Sequence, residues 1–219
     1  MTQLNLEGRR DSLLERTDFI EPADCARLLS FLPDDGLRDF CEWSYCTGQR
    51  KNEIASLRWD MLDGNDNTLH IPANVCKNRK ARTLPLSPEL AEIIARCQAA
   101  RRVKINGVAT MTEFIFHRGG EPVREFRKSW RTACTKAGVT GVFHSCRRSC
   151  ARNLSKAGVP QHIAKKVTGH ISDSMWARYN IGTDADVLAA MQQTEAYRAT
   201  ARAAAQKVLS IARVGSGKK

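Results

Sequence analysis

The segment GHISDSMWARYN, residues 169–180, places His170 and Tyr179 nine positions apart at the end of a strongly basic stretch. Just upstream, FHSCRRSC supplies His144 and, three residues later, Arg147. A tyrosine hydroxyl titrates near pH ~10, so it is a poor nucleophile at neutral pH. It becomes an effective one where cations stabilise the negatively charged oxygens around it. This order of side chains therefore points to chemistry at an anionic group.

The charge balance of the whole chain indicates a polyanionic partner. Its 219 residues contain 35 lysines and arginines against 23 acidic residues, which gives a formal net charge of +12. Such an excess favours nucleic acid first and an anionic membrane surface second. An apolar content of 42% is enough to bury a core, so the chain is predicted to be globular.

Other classes of protein are disfavoured by the sequence. No apolar run approaches the ~18 residues that a membrane span needs. The first residues, MTQLNLEGRRDSLLERTDF, are polar and carry acids, unlike a signal or transit peptide, so a cytoplasmic, DNA-associated protein is predicted. The eight cysteines form no CxxC pair and are interpreted as reduced core thiols, not as a zinc site or a disulfide framework.

The hydrophobic pattern predicts an α+β fold that is mostly helical with a small antiparallel β-sheet. TLHIP at 68–72 and RTLPL at 82–86 are expected to be short strands joined by the basic connection ANVCKNRKA, and FIF at 114–116 a buried strand. Most of the rest has helical spacing with glycine-containing stops. The predicted helical segments are IEPADCARLLSFLP, GLRDFCEWSYC, SPELAEIIARCQAA, REFRKSWRTACTKAG, HSCRRSCARNLSKAG, PQHIAKKVTGH and DSMWARYN.

Three regions are expected along the chain. Residues 1–20 are a polar lead-in or linker, residues 21–183 form the main domain, and residues 184–219 are an alanine-rich, basic helical tail. The tail carries a short apolar stripe, which either docks on a neighbouring protomer or packs back on its own domain. Both interpretations of the stripe stay open; its residues are Val208, Leu209, Ile211 and Ala212.

Five motifs, in order, resemble those of the tyrosine recombinase (phage integrase) family. TGQRKNEIASLRW looks like its first arginine motif, with Glu53 as the supporting acid, and CKNRKARTLPL looks like its lysine hairpin. HSCRRS matches the His-x-x-Arg motif, while TGH followed by RYN matches the final histidine and tyrosine. The resemblance runs from about residue 20 to 182. The catalytic residues that it implies are Arg50, Lys77, His144, Arg147, His170 and Tyr179.

The sequence also departs from the family pattern. Gln49 stands where the family usually has an aliphatic residue, and Ser145 where it often has an acid. Most relatives carry an N-terminal DNA-clamping domain, which about twenty residues cannot form. The chain is therefore either a catalytic fragment or a minimal recombinase.

The resemblance implies a site-specific DNA recombinase that needs neither metal nor cofactor. Tyr179 would attack a phosphodiester and form a 3′-phosphotyrosine, while Lys77 protonates the leaving 5′-oxygen. The two arginines would hold phosphate oxygens, and the two histidines would bind phosphate or move the tyrosine proton. No acidic cluster in the sequence resembles a metal cage, so side chains are expected to meet the charge of the transition state.

The implied partner is double-stranded DNA, with a homotetramer assembled on synapsed sites. Four further cations are predicted to contact the DNA backbone, and they are Arg79, Lys80, Arg82 and Arg148.

Each residue also has an ordinary structural interpretation. Arg50 and Glu53, three positions apart, could be a surface helix pair worth ~0.3–0.5 kcal/mol, and Tyr179 could be a packing residue. It is less probable that six such residues occur in the family order by coincidence than that they form one active site. Two alternative functions remain: a type IB topoisomerase-like enzyme, which shares the chemistry, and a non-catalytic DNA-binding protein, which would not need Tyr179 together with Lys77.

Overall fold

The computed structural model describes residues 18–169 and 184–215, with side chains at all of these positions except 185, 186 and 204–215. The chain divides into two compact units between residues 179 and 180. The predicted helix at DSMWARYN lies outside the described residues.

Seven described helices build most of the first unit. The second of them shows how the sequence sets their ends: the Asp34 carboxylate accepts a hydrogen bond from the Leu37 N–H at 2.8 Å, and Gly48, with a φ of +63°, ends the helix. The helices are α1 (Pro22–Ser30), α2 (Asp35–Thr47), α3 (Lys51–Ala55), α4 (Pro88–Ala99), α5 (Arg127–Ala137), α6 (His144–Lys156) and α7 (Gln161–Thr168).

The strands form three small antiparallel sheets. The largest has the order β1-β2-β3, and Leu69 on its central strand pairs with Leu84. Its strands are β1 (Leu62–Asp63), β2 (Thr68–Ile71) and β3 (Arg82–Pro85). Two further hairpins pair β4 (Arg102–Ile105) with β5 (Val108–Met111), and β6 (His117–Arg118) with β7 (Glu121–Pro122).

The core is centred on α2, which packs against α1, α4 and α6. Its inward side chains are fully buried, and Phe40 among them contacts three other aromatic rings. The centroid of the Phe40 ring lies 6.0 Å from that of Phe116, 5.5 Å from that of Phe126 and 5.6 Å from that of Phe143. Because Phe143 directly precedes α6, this aromatic cluster fixes the start of the helix that carries His144 and Arg147.

The predicted fold class is confirmed, since the unit is mostly helical with small antiparallel sheets. The two strands predicted at 68–72 and 82–86 are present. The prediction of a strand at 114–116 is wrong: the backbone of Phe114 forms only an isolated bridge with Arg58, and the segment is buried by packing without joining a sheet. The β4–β5 hairpin was not predicted, although Asn106-Gly107 is a typical two-residue hairpin turn.

The cysteines behave as small core residues. All eight are free, and seven of them are buried. Burial raises the pKa of the Cys150 thiol to about 12, so this side chain stays protonated and chemically quiet at neutral pH.

The described part of the second unit is one helix, α8 (Asp184–Gly215). Its described side chains, at 184 and 187–203, are exposed. The apolar stripe predicted at 208–212 lies among residues whose side chains are not described. No helix in either described range is both long enough and apolar enough to cross a membrane.

Replacing Phe40 by alanine is expected to lower the free energy of unfolding by ~3–5 kcal/mol, because it leaves a cavity among three rings. The measurement is urea denaturation monitored by tryptophan fluorescence and circular dichroism. The control is Phe31→Ala, since that ring is 40% exposed and its removal should cost less than ~1 kcal/mol. Equal losses for the two variants would contradict this account of the core.

Candidate active site

Arg50 is positioned by a sharp turn between α2 and α3. The turn needs glycine at position 48 because its φ is positive and because it packs closely on two other helices. A Cβ atom at this position would lie 3.0 Å from the Thr168 side chain and 3.2 Å from that of Cys150. The backbone then runs in an extended conformation to Arg50, which is the N-cap residue of α3. Arg50 is therefore held where α2, α6 and α7 meet.

Arg147 anchors the same junction from α6. It is only 3% exposed, and its Nη1 donates hydrogen bonds to the backbone carbonyl oxygens of Gly48 and Thr168. Burial, and then the charge of Arg50, lower the pKa of Arg147 to about 10, so its guanidinium stays charged at neutral pH. One buried cation thus joins the α2–α3 turn to the end of α7.

The Glu53 carboxylate accepts hydrogen bonds from three residues in the interior. Its side chain is 3% exposed, and its Oε1 accepts from Arg50 Nη1 at 3.0 Å and from the backbone N–H of Lys77 at 3.2 Å. Its Oε2 accepts from Arg82 Nη2 at 3.0 Å. Burial acts to raise the pKa of this carboxyl, but the charge of Arg82, the Lys77 N–H and Arg50 outweigh it, and the pKa is lowered. Glu53 is therefore ionised in the folded protein.

Lys77 lies in the β2–β3 connection, and its backbone is the part held by Glu53. Its side chain is exposed, as are those of Arg79 and Lys80 further along the connection. A lysine whose main chain is fixed while its side chain reaches solvent can meet a ligand that enters from outside.

His144 is the first residue of α6. Its side chain reaches the surface, but partial burial and the charges of Arg147, Arg148 and Arg50 lower the pKa of its imidazole. The neutral ring is therefore favoured at physiological pH. A neutral imidazole can donate a hydrogen bond from one nitrogen and accept one at the other.

These side chains line one open cleft of about 690 Å³. Four cationic side chains line it, namely Arg50, Lys51, Lys77 and Arg147. Glu53 is the one carboxylate among its described lining residues, and it is shared with Arg82 outside the cleft. The cleft therefore carries surplus positive charge and suits an anionic group such as a phosphodiester. The charged and titratable side chains that line it include Arg50, Glu53, Lys77, His144 and Arg147.

Four of the six predicted catalytic residues are thus brought together, with Glu53 between them. His170 and Tyr179 lie outside the described residues, although Gly169, which directly precedes His170, is described as the cap of α7. The roles assigned to all six residues stay predictions.

The four residues predicted to contact DNA fall into two groups. Arg79 and Lys80 are exposed on the β2–β3 connection. Arg82 and Arg148 instead have carboxylate partners, since Arg82 binds Glu53 and the Nη2 of Arg148 lies 2.6 Å from an Asp18 oxygen. DNA contact by any of the four stays a prediction.

A carboxylate beside α6 was not predicted from the sequence. The Oδ2 of Asp18 accepts hydrogen bonds from the Ser145 hydroxyl at 2.5 Å and from Arg148. Two further contacts fasten the residues that follow Asp18: the Ile20 N–H donates to Ser149 Oγ at 2.8 Å, and the Tyr45 hydroxyl donates to the Ile20 carbonyl at 3.1 Å. Asp18 lies 127 positions from Ser145 in the sequence, so no local pattern could indicate this contact.

One cluster of potential metal ligands occurs among the described residues. Oxygen and nitrogen donors of Asp63, Asp66 and His70 lie within 4.8 Å of one another on the β1–β2 side. None of the three lines the active-site cleft.

Comparisons with known proteins agree with this geometry. The fold is that of the catalytic domains of tyrosine recombinases. It is similar to the Tn1549 transposon integrase in complex with circular intermediate DNA, with a TM-score of 0.64 and 20% identity over 81% of this chain and 65% of that one. It is also similar to a lambda integrase tetramer bound to a Holliday junction, with a TM-score of 0.59 and 20% identity over 76% and 49%.

The sequence comparisons give the family. Residues 18–185 match the phage integrase family, and the chain therefore belongs to it. The integrase of Salmonella phage P22 is 25% identical over 173 residues, which are 75% of this chain and 44% of the relative. The chain thus spans less than half the length of that relative.

Replacing Glu53 by glutamine is expected to destabilise the fold by about 3 kcal/mol at pH 7, because two arginines lose a buried counter-charge. The pKa of Glu53 is lower when folded, so this stability is fully present above the unfolded pKa of ~4.3 and is lost as the pH falls through the folded value. Urea denaturation at pH 7 and at acidic pH should show the difference between variant and wild type shrinking on acidification.

The matched control is Asp60→Asn, since that side chain is 75% exposed and its nearest cation is 3.9 Å away. It should change stability little at either pH. A Glu53→Gln effect that is the same at both pH values would contradict the ion-pair account.

Proposed function

We propose that this chain cleaves and rejoins double-stranded DNA at specific sites through a 3′-phosphotyrosine intermediate. The observation that carries the proposal is the cleft in which Arg50, Lys77 and Arg147 converge beside Glu53, the one carboxylate among the described residues that line it. Membership of the phage integrase family supports it, as do relatives whose names describe integrases.

The two arginines would bind the scissile phosphate. Each guanidinium can donate two parallel hydrogen bonds to non-bridging oxygens. Arg147 has little freedom, because its Nη1 already binds two backbone carbonyls, and Arg50 is held by Glu53. Preorganised cations of this kind stabilise the added negative charge of the transition state without first having to reorganise.

Bond exchange would then proceed with balanced proton transfers. The Tyr179 oxygen attacks phosphorus and loses its proton, while the bond to the 5′-oxygen breaks and that oxygen takes a proton from Lys77. Neutral His144 would bind a phosphate oxygen, and His170 would accept the proton that Tyr179 loses. Attack by a 5′-hydroxyl on the phosphotyrosine reverses the steps, so rejoining needs no external energy source.

The two alternative functions would give different outcomes with DNA. A type IB topoisomerase-like enzyme would form the same covalent link but relax supercoils without exchanging strands between two sites. A non-catalytic DNA-binding protein would show affinity alone. The surplus charge of the cleft fits all three, and the fixed placement of Lys77 and His144 beside the arginines favours an enzyme.

We further propose a domain organisation and an assembly. Residues 21–183 would form the catalytic domain, residues 1–20 a lead-in, and residues 184–219 a basic tail that contacts a neighbouring protomer. The active form would be a homotetramer on two synapsed DNA sites, as in the lambda integrase tetramer bound to a Holliday junction. Arg79 and Lys80 would add backbone contacts that strengthen binding at low salt.

Tyr179→Phe is expected to abolish covalent attachment to DNA and leave DNA affinity nearly unchanged, because only the nucleophilic oxygen is lost. A nicked suicide substrate traps the wild-type adduct, and a denaturing gel separates it from free DNA. The reaction should proceed in excess EDTA. An adduct that persists in the variant would show that the nucleophile is another residue.

Lys77→Ala is expected to slow cleavage by ~10²–10⁴, the range for loss of a positioned proton donor. A substrate with sulfur at the bridging 5′ position should restore most of the rate, since a thiolate leaves without a proton. Lys80→Ala is the control variant on the same connection. The sulfur-containing substrate should not raise its cleavage rate by more than it raises that of the wild type. Selective rescue of Lys80→Ala would mean that the general acid lies three residues further on.

A further inference from the structure

We infer that Arg82 is a positioning residue of the active site and not a DNA contact. Its guanidinium lies between the Glu53 carboxylate and the backbone of Gly169, the residue before His170. It would thereby fix the β2–β3 hairpin, the Arg50–Glu53 pair and the end of α7 in one arrangement. This inference rests on the function proposed above, because the residues that it positions are those assigned to DNA cleavage.

The first contact joins Arg82 to the centre of the site. Arg82 is the first residue of β3, its side chain is 14% exposed, and its Nη2 lies 3.0 Å from Glu53 Oε2. The other oxygen of the same carboxylate binds Arg50 and the Lys77 N–H. The hairpin is therefore tied to Glu53 at two points, one in the Lys77 backbone and one in the Arg82 side chain.

The second contact joins Arg82 to the end of α7. Gly169 has a φ of +67°, and a Cβ atom there would lie 2.0 Å from Arg82 Nη1 and 3.1 Å from Arg82 Cζ. The guanidinium therefore occupies the space that any side chain at this position would need. Because its other nitrogen is bound to Glu53, moving the guanidinium aside would disturb that ion pair.

The charges support a role inside the protein. Arg82 is the strongest of the groups that lower the pKa of Glu53, and it also contributes to the lowered pKa of Arg147, after burial and Arg50. To reach a DNA phosphate, Arg82 would have to break its ion pair with the buried Glu53 carboxylate, which costs free energy. The exposed cations of the same connection, Arg79 and Lys80, have no such constraint in the described structure.

The test separates cleavage rate from DNA affinity. We expect Arg82→Ala to slow single-turnover cleavage at saturating DNA by ~10- to 10²-fold, the cost of misplacing reacting groups by about an ångström. Its Kd, measured by fluorescence anisotropy, should stay within about threefold of wild type, with an unchanged dependence on salt. Arg82→Lys keeps the positive charge but cannot contact Glu53 and Gly169 together, so it should cleave at an intermediate rate.

Arg79→Ala is the matched control from the same connection. It should weaken binding, reduce the slope of log Kd against log salt by ~1, and cleave at a near-normal rate once saturated. If Arg82→Ala behaves like Arg79→Ala, the inference is wrong and Arg82 is a DNA contact.

A double-mutant cycle tests the contact with Gly169 directly. Gly169→Ala should slow cleavage in the wild-type background, through displacement of Arg82 and through its positive φ. In the Arg82→Ala background the displacement is no longer possible, so the same substitution should have a smaller effect on rate. Independent, multiplicative effects on the rate would overturn the inference.

The same variants report on folding without DNA. The melting temperatures of Arg82→Ala, Glu53→Gln and their double mutant should be non-additive if the two side chains bind each other. If Arg82→Ala does not fold, the cleavage rate and DNA affinity of Arg82→Lys are compared with those of the wild type instead. Absence of any covalent adduct with wild type would refute the proposed function, whereas an adduct with normal cleavage by Arg82→Ala would refute only this inference.

Discussion

The arrangement of the site depends on one buried carboxylate. A charge as buried as that of Glu53 is tolerated only when partners replace the water that it has lost. Its partners come from α3, from the β2–β3 connection and from β3, so satisfying one side chain brings three parts of the chain to a common point. The position of Lys77 is thus a consequence of where Glu53 is buried.

Arg147 is held in a different way, because its Nη1 donates hydrogen bonds to the backbone carbonyl oxygens of Gly48 and Thr168. Carbonyls bind the guanidinium but do not neutralise it. The positive charges of Arg147 and Arg50 can attract an anion in the cleft, where cations outnumber the one carboxylate, Glu53, among the described lining residues. The protein holds these cations in fixed positions, and preorganised cations of this kind stabilise a phosphate in a charged transition state.

The local sequence pattern was enough to predict features whose determining residues lie close together in the chain. The strands on either side of the lysine hairpin lie within short segments, and the structure has them as predicted. FIF was misassigned because three apolar residues are equally consistent with a buried loop. The roles of Arg82 and Asp18 could not be predicted, since their partners lie 29 and 127 positions away and a basic run does not reveal which cations face inward.

The contacts of Asp18 and Ile20 have a mechanical consequence. The chain enters the domain along α6, where it is fastened to Ser145, Arg148 and Ser149 by hydrogen bonds and an ion pair. Tension on the polypeptide ahead of Asp18 is therefore transmitted to the helix that carries His144 and Arg147. A load that shifts this helix along its axis by a fraction of a turn would move both side chains relative to Glu53. The contacts of Asp18 and Ile20, which hold the helix in place, would therefore also transmit a force that distorts the active site.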